Sequence, residues 1–150
     1  MPDTDIILEK TENIRRCLRR IKEVTELDPS RLDNIDIQDI FVLNLQRAIQ
    51  AAIDLAVHII SDNNWSIPKT ARENFDLLAG KEVLTTALAE KMKKMVGFRN
   101  IAIHDYRRID VGILKSILTG HLIDLEEFYR VVLKKYLPEG KAEKVKVKRY

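Results

Sequence analysis

The chain has one cysteine, Cys17, among its 150 residues. An internal disulfide is therefore excluded, and a reducing cytoplasmic setting is expected. Glycine and proline are scarce, at five and four. Long stretches lack both, which leaves few turn signals and favours helices. No uninterrupted run approaches the roughly 18 apolar residues of a membrane span, so no membrane association is expected. The opening Met1-Pro2-Asp3-Thr4-Asp5 is acidic and lacks a signal-peptide pattern. There is no HExxH, no cysteine pair and no glycine-rich phosphate loop. With three histidines at unrelated spacing, His58, His104 and His121, neither a metal nor a cofactor is expected.

What is present is helical pattern. Apolar residues make up 45% of the chain, enough for one soluble domain with one core. The expected architecture is all-α, an antiparallel bundle of about five helices. The first spans Asp3 to Glu26, with Ile7, Ile14, Cys17, Ile21 and Val24 as its apolar stripe. Cys17 is read as core. The second spans Asp36 to Ser61 and is apolar on most faces, so it should be central. Trp65 and Ile67 should plug the core edge after it. Ala71 to Ala79 is a short third helix, with Thr70 and Glu73 at capping-box spacing. The fourth begins near Lys81 and continues past Met95. The fifth runs from Asp110 to Leu137, and His121 is expected to pack beside its stripe. The body is thus 1–140, followed by a basic tail, 141–150. That tail carries four lysines, one arginine and one glutamate, a net of +4, so the other 140 residues carry about −1 of the whole-chain +3. A basic tail can hold nucleic acid through phosphate attraction, or simply be a solvated terminus.

Chemistry concentrates in Phe98-Arg99-Asn100-Ile101-Ala102-Ile103-His104-Asp105-Tyr106. Arginine offers a permanent cation whose donor fork fits phosphate oxygens. Histidine is suited to moving a proton near neutral pH. The intervening Ile101, Ala102 and Ile103 suggest that this kit is anchored in a packed element. On a straight helix, residues five apart differ by roughly 140°. Arg99 and His104 can therefore address one phosphate only if the helix ends or kinks near Ile103. Lys91, Lys93 and Lys94 precede the motif, as a solvated face or as an extension of a phosphate-binding surface.

The second helix carries a polar stripe of Asn44, Arg47, Gln50, Asp54, His58 and Ser61 within an arc of roughly 120°. Such a stripe needs partners. It could face the motif and wall an active groove. Alternatively, Arg47 and Asp54 pair with each other and the stripe faces water or another chain. His58 is read as a structural histidine.

Arg99, Asn100, His104 and Tyr106 match the Arg-x4-His-x-Tyr pattern of one known group. The preceding Gly97-Phe98 and the second-helix run Leu45 to Asp54 match it as well. On these residues the chain resembles the HEPN superfamily, and within it the HepT-like (DUF86) toxin ribonucleases. The resemblance covers about Ile6 to Tyr136. It implies a two-fold homodimer with paired motifs in a cleft, metal-independent RNA cleavage, and the role of toxin in a type II toxin–antitoxin system. It also implies a nucleotidyltransferase antitoxin as partner, which can transfer AMP to Tyr106. Arg99 and His104 would be catalytic; Asn100, Tyr106, Arg47 and Asp54 would support them or contact RNA. The alternative is a HEPN-fold binding module that associates with a nucleotidyltransferase without cleaving RNA.

Overall fold

The computed structural model describes residues 2–137, so the basic tail 141–150 lies outside the described residues. Among those residues there are six α-helices, two 3₁₀ turns and no strand: α1 Thr4–Thr25, α2 Ile35–Asp62, α3 Ala71–Gly80, α4 Thr86–His104, α5 Val111–Gly120 and α6 Leu122–Tyr136. The 3₁₀ turns, Pro29–Asp33 and Tyr106–Arg108, precede α2 and α5.

Local chemistry sets most of the boundaries. Asp3 caps α1 by accepting from the Asp5 amide, and Asn34 caps α2 through the amides of Asp36 and Ile37. Thr70 accepts from Glu73 N–H at 3.3 Å, as the capping spacing predicts. Asp110 accepts from Gly112 N–H at 2.7 Å and starts α5. Left-handed backbone at Glu26 and Leu27 ends α1 just before Asp28-Pro29.

Two boundaries depart from the sequence reading. The fourth helix starts at Thr86, not Lys81, because Glu82 takes a left-handed φ of 60° and Thr85 caps the Leu88 amide at 3.1 Å. The expected fifth helix is two. It breaks at Gly120–His121, where His121 leaves helical geometry at φ −129° and ψ −6°. Glycine is a poor helix former, and the His121 imidazole binds Asp124 at 3.0 Å across the new start. His121 is therefore half exposed and does not pack in the core; Asp124 beneath it is buried.

The core is organised around α2. All five other α-helices contact it. Phe41, Leu45, Ala48, Ile49, Ala52, Leu55, Ala56, Ile59 and Ile60 are buried with 2% exposure or less. By length and composition α2 could cross a membrane, but most of its apolar stretch is covered inside the bundle. Phe75 of α3 meets Phe128 of α6 edge to face, with centroids 5.5 Å apart. Trp65 is half-buried under the Lys81 ammonium at 5.2 Å, whereas Ile67, expected as a second plug, is 54% exposed. Cys17 is also not fully core: it is half-buried beside a surface groove.

Leu55 has no exposed surface. Leu55→Ala should remove about 2–5 kcal/mol of stability, read as a lower urea midpoint with an unchanged slope.

Candidate active site

The motif lies where α4 runs out. Phe98 and Ala102 point inward and are buried, fixing the rotation of the last turns. Ile101 and Ile103, expected to anchor the motif by packing, are 47% and 50% exposed. Anchoring therefore comes from one side of the helix, and the apolar surface beside the motif stays open. Arg99 and Asn100 are partly buried, and His104 is exposed. Asn100 Oδ1 accepts from Arg99 Nη1 at 3.0 Å, which orients the guanidinium without neutralising it. No carboxylate pairs with Arg99, and the His104 ring has no hydrogen-bond partner among the described residues.

The helix stops later than the five-residue spacing asks: it stays regular through His104, so Arg99 and His104 keep the roughly 140° separation of helical residues five apart. Asp105 leaves helical geometry at φ −153° and ψ 71°, while its amide still closes the last turn on Ile101 at 2.8 Å. His104 is thus the terminal helical residue. Tyr106–Arg108 then forms a 3₁₀ turn that presents Arg107 and Arg108 to solvent. Arg108 lies 3.9 Å from Asp105.

Tyr106 is held from outside the motif. Its hydroxyl donates to Asp39 Oδ1 of α2 at 2.5 Å, across 67 residues of sequence. The phenol is pushed up to about 12. Desolvation of the hydroxyl is the largest cause, although the side chain as a whole remains 43% exposed; the Asp39 hydrogen bond and charge add to it. Asp39 is the site residue that the sequence did not disclose. Nothing in its local spacing ties it to Tyr106.

The remaining expected site residues fall elsewhere. Arg47 and Asp54 line a groove between α1 and α2 whose walls include neither Arg99 nor His104. They do not pair with each other: Asp54 accepts from Gln50 at 2.8 Å and lies 3.7 Å from Lys10. His58 approaches Asp62 at 3.2 Å, one helical turn on, in keeping with a structural role. Of the lysines before the motif, Lys93 bridges Asp76 and Glu90 at 3.0 and 3.1 Å, while Lys91 and Lys94 are exposed.

An exposed imidazole, a guanidinium without a carboxylate and a phenol held by Asp39 thus lie within eight residues of one another in sequence, around the end of α4. The family model described as ribonuclease HepT-like matches residues 14–132. The chain belongs to this family. It is 40% identical over 128 residues to the mRNA nuclease HepT of Shewanella oneidensis, spanning 85% of this chain and 96% of that one. It is 33% identical over 106 residues to the tRNA nuclease HepT of Aphanizomenon flos-aquae, 70% of this chain and 72% of that one. The solved structure of the tri-AMPylated Shewanella oneidensis HEPN toxin in complex with MNT antitoxin matches with a TM-score of 0.82 at 40% identity, over 87% of this chain and 98% of that one. The cytosolic protein YutE of Bacillus subtilis matches at 0.76 with 17% identity, a likeness of fold alone. As a HepT-like chain, this protein keeps the family's all-helical frame with the motif at the end of α4.

The raised Tyr106 value carries a sign. The protonated phenol is the donor, so its bond to Asp39 contributes fully below the ordinary value of 10 and is lost as pH rises toward 12. Asp39→Asn should lower the Tyr106 pKa toward 10 but not all the way, because desolvation remains. NMR of ring-labelled tyrosine across that pH range measures it.

Proposed function

We propose that this HepT-like protein is a metal-independent endoribonuclease and the toxin of a type II toxin–antitoxin pair in the cytoplasm. The observation that carries the reading is the set of groups in the last turns of α4: Arg99, held by Asn100 with no carboxylate on it, five residues before an exposed His104. The nuclease names of its relatives support RNA as the substrate.

The chemistry follows from the residue types. RNA supplies its own nucleophile, the 2′-hydroxyl. His104 accepts that proton as the 2′-oxygen attacks phosphorus. Arg99 stabilises the charge that grows on the non-bridging oxygens. The bond from phosphorus to the 5′-oxygen breaks, and that oxygen takes a proton from water or from a protonated imidazole. A 2′,3′-cyclic phosphate and a 5′-hydroxyl remain. Tyr106 serves to bind substrate, because a phenol raised to about 12 is a poor proton donor to a leaving group at neutral pH. Metal independence is part of the proposal. It is supported by the donor set: among the described residues no three His, Cys, Asp or Glu side chains are grouped to hold an ion.

The homodimer is also proposed. Ile101, Ile103 and Tyr106 leave an apolar border beside the motif, and a two-fold partner would cover it while bringing two motifs together. Control acts at Tyr106. A nucleotidyltransferase partner would transfer AMP from ATP to the Tyr106 oxygen, with release of pyrophosphate and transfer of the phenolic proton to a base. The adduct would replace the Asp39 hydrogen bond with bulk and negative charge beside Arg99. Asp39 would accept the proton, a role its hydrogen bond to the hydroxyl supports.

His104→Ala and Arg99→Ala should each reduce cleavage of total RNA on the order of 10²-fold or more, with helical circular dichroism retained. Wild-type cleavage should persist in EDTA. Loss of cleavage in EDTA that zinc or magnesium restores would remove metal independence from the account.

The wild-type protein should scatter light as a dimer of 17.4 kDa chains. With its nucleotidyltransferase, ATP and magnesium, mass spectrometry should locate AMP on Tyr106, and cleavage should fall in step. Tyr106→Phe should resist modification.

A further inference from the structure

A groove of about 730 Å³ runs between α1 and α2, and its charge is one-sided. Lys10, Arg16, Arg20 and Arg47 line it against a single carboxylate, Asp54. The helices are antiparallel in a register fixed by two contacts. Asp3 N–H donates to Asp62 at 2.8 Å, and Lys10 lies 3.7 Å from Asp54. That register sets Cys17 opposite Arg47, and the charges of Arg47 and Arg16 both act on the Cys17 thiol. Farther along, Arg20 comes level with Asn44 and the groove ends at Ile40. Asp39, which holds the Tyr106 hydroxyl, is the next residue. From Asp54 to Ile40 the groove is roughly 21 Å long at 1.5 Å per helical residue. At that end the groove comes within one residue of Asp39 along α2, while Arg99 and His104 lie outside its walls.

The groove's cations differ in what they already hold. Lys10 has Asp54, and Arg20 has Glu23 at 3.3 Å. Arg16 touches only Asn13, at 3.4 Å, and Arg47 has no ion-pair partner among the described residues. Both guanidinium groups are exposed beside the half-buried Cys17, without a carboxylate of their own, and can take an anion. Beside them Leu43 is 45% exposed and Ile40 partly so, offering apolar contact for ribose or base. A chain of phosphates with flat apolar groups between them fits this alternation.

We propose that the α1–α2 groove is a second RNA-contact site, a track that holds the single-stranded substrate's backbone outside the cleavage motif, with Arg16 and Arg47 as its phosphate ligands. This rests on the ribonuclease reading and adds a binding surface to it.

The test uses His104→Ala protein and a fluorescein-labelled oligoribonucleotide of about 12 nucleotides, a length within single-strand site sizes. Affinity is measured across a potassium chloride series. Adding Arg16→Ala with Arg47→Ala should weaken binding on the order of tenfold at low salt and flatten the slope of log K against log salt by about 1.4, two single-strand phosphate contacts. Arg16→Lys with Arg47→Lys should recover most of both. Cys17 is the chain's one cysteine and lines the groove, so it reports occupancy without any change to the arginines. The same oligonucleotide should slow its alkylation by N-ethylmaleimide.

If wild type cleaves RNA while the double alanine variant keeps its affinity and slope and Cys17 is not protected, the track is wrong and the ribonuclease reading stands. If wild type neither binds nor cleaves any RNA, both fall. A Cys17 that resists alkylation in the free protein, together with a double variant that dissociates into monomers, would assign the groove to contact between copies and overturn the track.

Discussion

The apolar surface of α2 is the constraint on which the rest depends. A 28-residue helix with so few polar positions must be covered, and the five other helices do so. Its coverage is uneven. The sides that meet α1, α3, α4, α5 and α6 bury aliphatic residues, and what is left over is the strip of Asn44, Arg47, Gln50 and Asp54 at the α1 border. Core formation and the placement of the polar groove are therefore the same event. The groove exists because α1 packs along one edge of α2 without closing over its polar side chains.

The motif depends on α2 in a second way. Once Asp105 breaks the helix, the turn after His104 has only its own short hydrogen bonds to define it. The Tyr106–Asp39 contact ties that turn to the central helix of the bundle. The Tyr106 hydroxyl, two residues past the end of α4, is thereby held by a residue in the second turn of α2. The contact also sets the Tyr106 hydroxyl beside the Asp39 carboxylate.

Much of this could be read from local chemistry. Asp3, Thr70 and Asp110 begin helices because their side chains cap the amides that follow, and the spacing of Ile7, Ile14 and Ile21 gives the buried face of α1. The five-residue spacing of Arg99 and His104 pointed to a helix end near Ile103, but α4 stays helical through His104 and ends only at Asp105. What failed were properties set by tertiary contact. The apolar stripe through Leu118 and Leu122 continues in phase across Gly120, so periodicity could not reveal the break there. Cys17 lies in an apolar register, but its exposure depends on how far α1 rolls against α2. Ile101 and Ile103 look like packing residues in sequence but are about half exposed, and Ile101 lines a surface pocket with Arg72 and Ile113. Asp39 was invisible because its partner is 67 positions away.

The central claim is that His104 and Arg99 serve an attack by the RNA's own 2′-oxygen. The most direct measurement uses an oligoribonucleotide with one preferred cleavage position, compared with a copy carrying a single 2′-deoxy nucleotide there. The account predicts that the all-ribose strand yields a 2′,3′-cyclic phosphate and a 5′-hydroxyl, and that the substituted strand stays intact at that position while still binding. Equal cutting of both strands, with a linear phosphate on the product, would make water the nucleophile and contradict it.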